Sequence, residues 1–337
     1  MTRDASASRT ATYLIFAFFL ALCANRAEAQ MFCVYDPLGA SGDFFSLAKD
    51  YQLAAKRWHV DLDTRAYSDE GVAVADFRAG KCDMLNMIGF RAKEFNFFTG
   101  SLDAVGAIEN YTELHDTLNV LASPKLARYM ISGEYETVGI LPLGAAYPFV
   151  KDRSINSLSK VTGKRIAVLD FDKTEAMFVE EVGAIPVQSN LLSFGTKFNN
   201  GEVDAIVAPI ALYKPLELDR GLGNTGGIIR RTAVQITLQF MIRHDRFPPE
   251  FGQHSRFYMA TQVDHALSII RNMENEVDAR QWMYVLSSER TKFYKIMRTS
   301  RNHMTQAGYF DRRMLAILKR VRCRNHDEEE ECSLPDE

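Results

Sequence analysis

Two stretches of the chain, FRAGKCDML (residues 77–85) and FNNGEVDAI (residues 198–206), repeat one pattern in which Phe, Gly and Asp hold the same places. The residues before each glycine have the apolar spacing of a helix, and the glycine suits the left-handed residue that often ends one. The short apolar run after each aspartate is typical of a buried strand. Each copy therefore predicts a helix that leads into a buried strand.

The elements upstream of the two copies also match. MFCVYDP (residues 31–37) and VDLDTRAYS (60–68) read as strands before the first copy, with a helix between them that begins near Asp43. KRIAVLD (164–170) and AIPVQSN (184–190) read as strands before the second copy, again with a helix between them. The order β-α-β-α-β is typical of parallel sheets covered by helices. We predict an α/β fold with two similar lobes. The alternative is that Gly and Asp recur only because the connection between a helix and a strand favours them in many α/β proteins.

The first 29 residues have the layout of an export signal. Arg3 and Arg9 precede an apolar run at residues 13–23, and AEA (27–29) supplies small residues before Gln30. The apolar run is too short to span a bilayer comfortably. We predict that the leader is removed after Ala29 and that the mature protein is periplasmic.

Composition and charge narrow the class of protein. The chain has 337 residues, 47% of them hydrophobic, which is enough for a large core in two domains. Its 40 basic and 43 acidic residues give a net charge of -3, which argues against nucleic acid as a partner.

Four cysteines follow the predicted leader, an even number that suggests two disulfides in an oxidising compartment. Three pairings are possible from the count alone. Cys33 enters the first predicted strand and Cys82 enters the third, and these strands are neighbours if the first lies between the other two. We therefore predict Cys33 with Cys82 and Cys323 with Cys332.

Two apolar runs, VGILPLGAAYPFV (138–150) and QITLQFMIR (235–243), can carry the chain from one lobe to the other and back. Two crossings between two lobes form a hinge. The predicted organisation is a leader (1–29), a first lobe (30–145 with 236–285), a second lobe (146–235), helices that brace both lobes (286–323) and an acidic tail (324–337).

Long helical periodicity follows residue 249 and includes DARQWMYVL (278–286). Ser288 and Asp311 are predicted N-caps, and Gly308 is a predicted helix stop. The acidic tail is expected to be solvated by its own charge.

Catalytic motifs are missing from the sequence. Neither H-E-x-x-H nor G-x-S-x-G occurs, and the seven histidines lack metal-ligand spacing. Gly221, Gly223 and Gly226 have the spacing of a dinucleotide-binding loop, but a polar turn precedes them and a strand-like run follows. We predict a protein that is not an enzyme and that needs no cofactor and no metal.

Ligands of open parallel sheets dock beyond the carboxyl ends of the strands, so the binding candidates follow those ends. The helix that begins near Asp43 also points its free N–H groups towards this place. Arg91 is the candidate anion contact, and its alternative role is a surface salt bridge. The alternative role of the aromatic candidates is packing in the core. The predicted ligand-binding residues are Asp36, Ser41, Asp43, Tyr67, Phe90, Arg91, Tyr147, Asp170, Phe171, Pro209 and Tyr213.

The sequence also resembles a known family. GKRIAV (163–168), VGAIPVQSN (182–190) and KFNNGEVDAIVAP (197–209) are similar to landmarks of the DctP-type solute-binding proteins of TRAP (tripartite ATP-independent periplasmic) transporters. FCVYDPLGASGD (32–43) and ASPKLARYM (122–130) resemble more closely a group of exported bacterial solute-binding proteins, some of them labelled as drug-efflux components. The resemblance implies a two-lobed periplasmic-binding-protein type II fold with long C-terminal helices, closing on a small molecule.

The chain departs from the TRAP pattern at one position. TRAP binding proteins place an arginine in the strand matched by GKRIAV, where it clasps the carboxylate of the ligand in a bidentate geometry. Ala167 holds that position here, and Arg165 lies about 7 Å away on the same face of the strand. A solute that is uncharged, or that is bound by other residues, is therefore expected as much as a carboxylate bound by an arginine of this strand.

Two functions follow from these observations. The first is a monomeric extracytoplasmic receptor that captures a small-molecule solute between hinged lobes and delivers it to an integral membrane permease. The second is a periplasmic accessory component of an efflux or sensing assembly, which acts through protein partners.

Overall fold

The computed structural model describes residues 29–325 and 330–335. The predicted leader, apart from Ala29, lies outside these residues, as does part of the acidic tail. Within the described residues, no helix is both long and apolar enough to cross a membrane.

The described residues form a large sheet with helices on both faces. The strands are β1 (Gln30–Tyr35), β2 (Leu62–Tyr67), β3 (Met84–Ile88), β4 (Ile131–Ser132), β5 (Tyr135–Val150), β6 (Arg165–Leu169), β7 (Ile185–Ser189), β8 (Ala205–Pro209), β9 (Gly227–Ile229), β10 (Val234–Arg243) and β11 (Trp282–Met283). The helices are α1 (Asp43–Ala55), α2 (Glu70–Arg78), α3 (Gly89–Ala92), α4 (Tyr111–Leu121), α5 (Ala127–Met130), α6 (Leu158–Val161), α7 (Lys173–Glu181), α8 (Leu191–Asn199), α9 (Leu218–Leu222), α10 (Phe251–Asn275), α11 (Ser287–Gln306) and α12 (Arg312–Asn325).

In the first lobe, β1 lies between β2 and β3 and is parallel to both, which is the strand order on which the predicted pairing of Cys33 with Cys82 depends. Successive side chains of a strand point to opposite faces. Phe32 of β1 accordingly joins the main core with Tyr51 of α1, while Cys33 joins a second core with Phe77 of α2. The disulfide from Cys33 to Cys82 is present as predicted.

The second lobe repeats this arrangement around β6, which is parallel to β7 and β8. Ala167 of β6 joins the main core with Phe198 of α8, and Val168 joins a separate core with Val179 of α7. The second lobe therefore has an α8 face and an α7 face, as the first lobe has an α1 face and an α2 face.

The two lobes are joined by the predicted crossing strands, and this makes the sheet continuous. The strand order is β2-β1-β3-β10-β5-β8-β6-β7. Residues 135–146 of β5 pair with β10, and residues 146–150 pair with β8. The two predicted lobes therefore share one sheet, because the long strand β5 belongs to both.

The repeated aspartates have the same role in each lobe. The Asp83 carboxylate accepts the N–H of Met31 at 2.8 Å, and the Asp204 carboxylate accepts the N–H of Arg165 at 2.8 Å. Each aspartate ties the start of the third strand to the start of the first. The glycines before them, including Gly201 at φ +76°, end their helices in the left-handed conformation, as predicted.

The C-terminal helices differ in part from the prediction. Asp311 caps α12 by accepting the N–H of Arg313, and Gly308 has φ +83°, which confirms both signals. Ser288 is not an N-cap, because α11 begins one residue earlier. The segment 278–286 is not an α-helix: Ala279–Gln281 forms one 3-10 turn, and Trp282 and Met283 pair with β9.

The acidic tail is not simply solvated. Cys323 is bonded to Cys332, as predicted, and this brings Glu331 back onto the helices. The Arg322 Nε donates to the Glu331 carboxylate at 2.7 Å, and Arg301 lies 3.7 Å from it. Both arginines are buried, so the tail carboxylate serves as their counter-ion.

Candidate functional site

A cavity of about 170 Å³ lies where the α7 face of the second lobe meets the first lobe. An apolar cavity of roughly 150 Å³ in another protein holds benzene, so this one can hold at least an aromatic ring. Both lobes and helix α11 line it. Its apolar lining includes Tyr35, Ile88 and Phe90 from the first lobe, Val207 and Pro209 from the second, and Phe293 from α11.

Two of the predicted ligand-binding residues line this cavity. Phe90 follows the end of β3 in helix α3, and Pro209 is the last residue of β8. Both stand where the sequence placed them, at the carboxyl ends of neighbouring strands. Strand ends of the two lobes thus meet at one cavity, as expected for a ligand site in an open α/β fold.

Two further predicted residues meet each other across the lobes. The Arg91 guanidinium lies 3.4 Å from the ring centroid of Phe171. Arg91 also pairs with Glu70 at 3.4 Å and with Glu94 at 3.3 Å, so the salt-bridge role left open for it is present as well. Phe90 and Asp172 line the cavity. Arg91 is next to Phe90 in the chain, and Phe171 is next to Asp172.

The tyrosines among the candidates lie away from the cavity and hold other parts of the structure. The Tyr147 hydroxyl donates to Glu274 at 2.9 Å, and the Tyr67 hydroxyl donates to Asp76 at 2.8 Å. Tyr213 is hydrogen-bonded to Gln281. Tyr147 neighbours Pro148, which does line the cavity, so alternation along β5 turns the tyrosine to the opposite face.

The polar candidates also lie outside the cavity lining. Asp36 is buried, and its carboxylate accepts the N–H groups of Leu38 at 2.8 Å and Phe45 at 3.1 Å, so it fixes the start of α1. Ser41, Asp43 and Asp170 are exposed.

The acidic groups of the lining are already satisfied. The Asp103 carboxylate accepts the Thr237 N–H at 2.9 Å and the Thr237 hydroxyl at 2.7 Å, and burial raises its pKa to about 7. The Glu175 carboxylate accepts the Leu169 N–H at 2.7 Å, and burial raises its pKa to about 8, with a contribution from Asp172. These groups hold the walls in place and favour their neutral forms.

A partly buried lysine of the first lobe is subject to the charge of a carboxylate of the second lobe. Burial lowers the pKa of Lys93, which belongs to the first lobe, while the carboxylates of Asp172 and Asp103 act against this. Asp172 belongs to the second lobe, so the attraction acts across the lobe interface.

Arg231 lines the cavity and was not among the candidates. It lies between β9 and β10, where the sequence shows only an Arg-Arg pair in a strand-like run. Its Nε and Nη2 atoms are buried and have no hydrogen-bond partner among the described residues. At the position of the TRAP arginine, Ala167 is fully buried in the main core, and Arg165 is exposed and pairs with Asp204.

One group of side chains in the described part of the chain has donor atoms close enough for a metal ion, namely Cys323, Glu331 and Cys332. Its two thiols are joined in the disulfide and its carboxylate pairs with arginines. This group therefore lacks the thiolates that bind zinc.

Comparison with known proteins gives a family match. The model of the family described as "Solute-binding protein AdeT 1/2" matches residues 52–337. The probable solute-binding protein AdeT1 of Acinetobacter baumannii is 44% identical over 304 residues, 90% of this chain and 100% of the relative. The probable solute-binding protein AdeT2 of the same organism is 26% identical over 235 residues, 70% of this chain and 99% of that protein.

Solved structures share the fold. A TRAP periplasmic solute binding protein of Ralstonia eutropha H16 with bound (S)-2-acetolactate has a TM-score of 0.71 at 13% identity, covering 89% of this chain and 100% of that chain. A TRAP periplasmic solute binding protein of Desulfovibrio salexigens with bound orotic acid has a TM-score of 0.68 at 13% identity, covering 89% and 99%. The predicted two-lobed fold class is confirmed.

Proposed function

The chain belongs to the AdeT 1/2 family of solute-binding proteins, and we propose that it is an extracytoplasmic receptor that captures one small molecule between its lobes. The resemblance inferred from the sequence is thereby confirmed. The observation that carries the proposal is the cavity, which both lobes line and which lies beside the crossing strands β5 and β10. Delivery of the solute to an integral membrane permease is the role that this design serves.

Capture works by hinge closure. Contacts that exist only when the lobes are together favour the closed form, and a solute that touches both lobes adds to them. The stacking of Arg91 on Phe171 is one such contact, worth about 0.5–2 kcal/mol. The attraction between Lys93 and Asp172 is another. In this proposal, Phe90 and Pro209 touch the solute, while Arg91 and Phe171 act on closure.

The proposed activity is binding without chemical conversion. The acidic groups of the lining are engaged with backbone or side-chain donors, and the four cysteines after the leader are joined in two disulfides. A nucleophilic thiol mechanism would need a free thiolate. The mature chain that we propose is monomeric, periplasmic and cut after Ala29.

Native mass spectrometry of the exported protein, purified without denaturation, tests the proposal. The wild type should carry a small-molecule adduct. Val207→Trp should lose it by tenfold or more, because an indole placed in the lining fills the cavity. Val72→Trp is the matched control, since Val72 is 51% exposed on α2, and it should keep the adduct.

An adduct that persists equally in Val207→Trp would contradict the cavity as the capture site. A protein that carries no adduct and remains bound to a membrane protein complex through purification would favour the accessory role in an efflux or sensing assembly.

A further inference from the structure

Arg231 presents an unused pair of hydrogen-bond donors to the cavity. Its Nε and Nη2 atoms are buried and have no hydrogen-bond partner among the described residues. Those two nitrogens form the edge of a guanidinium whose N–H bonds point the same way, the geometry that matches a carboxylate. Burying these two nitrogens without partners is costly, and the partial burial of Arg231 lowers its pKa.

Aromatic rings of α11 hold the guanidinium in position. The guanidinium carbon of Arg231 lies 3.9 Å from the ring centroid of Tyr294 and 5.9 Å from that of Phe293. Stacking on a ring face leaves the edge of the guanidinium plane free for hydrogen bonds. Tyr294 is also a hydrogen-bond partner of the guanidinium. The arginine is thus fixed, while its Nε and Nη2 atoms lack partners among the described residues and remain available.

The acidic groups near the cavity do not pair with Arg231, because each has another partner. Glu109 and Arg290 are the charged groups whose fields reach the guanidinium, and Glu109 is hydrogen-bonded to Tyr294. The carboxylates of the lining bond elsewhere, namely Asp103 to Thr237, Asp172 to Thr174, Glu175 to Leu169 and Glu289 to Lys292.

The rest of the lining selects for an apolar body. Phe178, Val207, Ile229 and Phe293 are typical of it. A sugar or a dicarboxylate placed there would leave hydroxyls or charges without partners, which is unfavourable. A hydrocarbon or aromatic body gains free energy from the same burial.

We propose that Arg231 is the anion anchor for a solute that carries one acidic group on an apolar body, such as an arylalkanoate. The inference rests on the proposed function and narrows its solute class. The anchor stands between β9 and β10, whereas Ala167, at the position of the TRAP arginine, is buried in the core. A charged, bidentate contact here supplies the specificity that the apolar walls cannot.

Titration calorimetry with two matched probes tests this anchor. The probes are 4-phenylbutanoate and the uncharged 4-phenylbutanamide, which share one apolar body. The wild-type protein should prefer the carboxylate by roughly 10- to 100-fold, the range for hydrogen bonds to a charged group. Arg231→Met, which keeps most of the apolar stem, should bring the two affinities within a factor of about three.

Lys164→Met is the control, because Lys164 is the other basic residue of the lining, and it should keep the preference. Arg231→Lys keeps the positive charge but loses the bidentate geometry of the guanidinium, so it should show an intermediate preference for the carboxylate. This variant also tests the anchor if Arg231→Met does not fold. A preference that survives in Arg231→Met, or disappears in Lys164→Met, overturns the anchor. Failure of both probes to bind overturns the solute class, while an adduct in native mass spectrometry would still support capture.

Discussion

Glu175 is a residue whose buried environment makes stability depend on pH. It lies in the first turn of α7, where its carboxylate accepts the Leu169 N–H at 2.7 Å. Burial raises its pKa from the ordinary value of 4.5 to about 8. Because the folded-state pKa is the higher one, its stabilising contribution is present at low pH and is lost as pH rises towards about 8.

Glu175→Gln should therefore gain stability over the wild type as pH rises from about 5 to 8.5. Glutamine keeps a carbonyl acceptor for the Leu169 N–H and cannot ionise. One pKa unit corresponds to about 1.4 kcal/mol, and partial solvent contact reduces the effect, so we expect a gain of about 1–2 kcal/mol. Urea unfolding across this pH range measures it. Glu180→Gln, on the exposed side of α7, should follow the wild type, and parallel curves for Glu175→Gln would refute the assignment.

The candidate site could be predicted from the sequence only in part. Phe90 and Pro209 line the cavity, and the sequence indicates them because strand ends can be read from apolar runs and such ends converge at the ligand edge. Tyr147 does not line the cavity, whereas its neighbour Pro148 does. A shift of one residue in a strand reverses the face that a side chain points to, and the sequence does not give that register. Arg231 gave no signal, because its burial depends on α11, which is distant in the chain.

At the scale of elements, the long strand β5 relies on one glycine. Gly144 has φ +119°, a conformation that L-residues rarely adopt, and it faces a register shift between Ile236 and Thr237 of β10. A Cβ at this position would lie 3.1 Å from Cγ2 of Ile270 in α10. The glycine therefore permits the bulge where the strand passes from one lobe to the other.

Gly144→Ala should lower the free energy of unfolding by about 1–3 kcal/mol, from backbone strain together with the Ile270 contact. Chemical denaturation measures the loss. Gly133→Ala is the control, because Gly133 has φ +59° but a Cβ there meets no atom within 4 Å. It should cost less than Gly144→Ala. Equal losses would show that the strand bulge imposes no constraint of its own.

The order of helices and strands was largely predictable because the repeated motif is local. Asp83 and Asp204 each accept a backbone N–H at the start of the neighbouring strand. A hydrogen bond of this kind depends on a few residues near the aspartate, so a short sequence pattern can predict it. The segment containing Trp282 was mistaken for a helix because its pairing with β9 is a contact 54 residues away, from Ile228 to Trp282. Non-local pairing of this kind overrides local propensity.

At the scale of the whole molecule, the two lobes touch through side chains that a hinge can separate. Arg91 contacts Phe171 across the lobes, the charge of Asp172 acts on Lys93, and residues 135–146 of β5 pair with β10. In the proposed function, a solute in the cavity touches both lobes and so binds the closed form more tightly than the open form, which shifts the population towards closure.

Small-angle X-ray scattering of the protein with and without its solute tests this most directly. The solute is removed by unfolding under non-reducing conditions, dialysis and refolding, and the low-mass fraction released on unfolding is then added back. We predict a larger radius of gyration for the solute-free protein and a return to the compact value when that fraction is restored. Identical scattering curves in both states would contradict capture by closure of the two lobes.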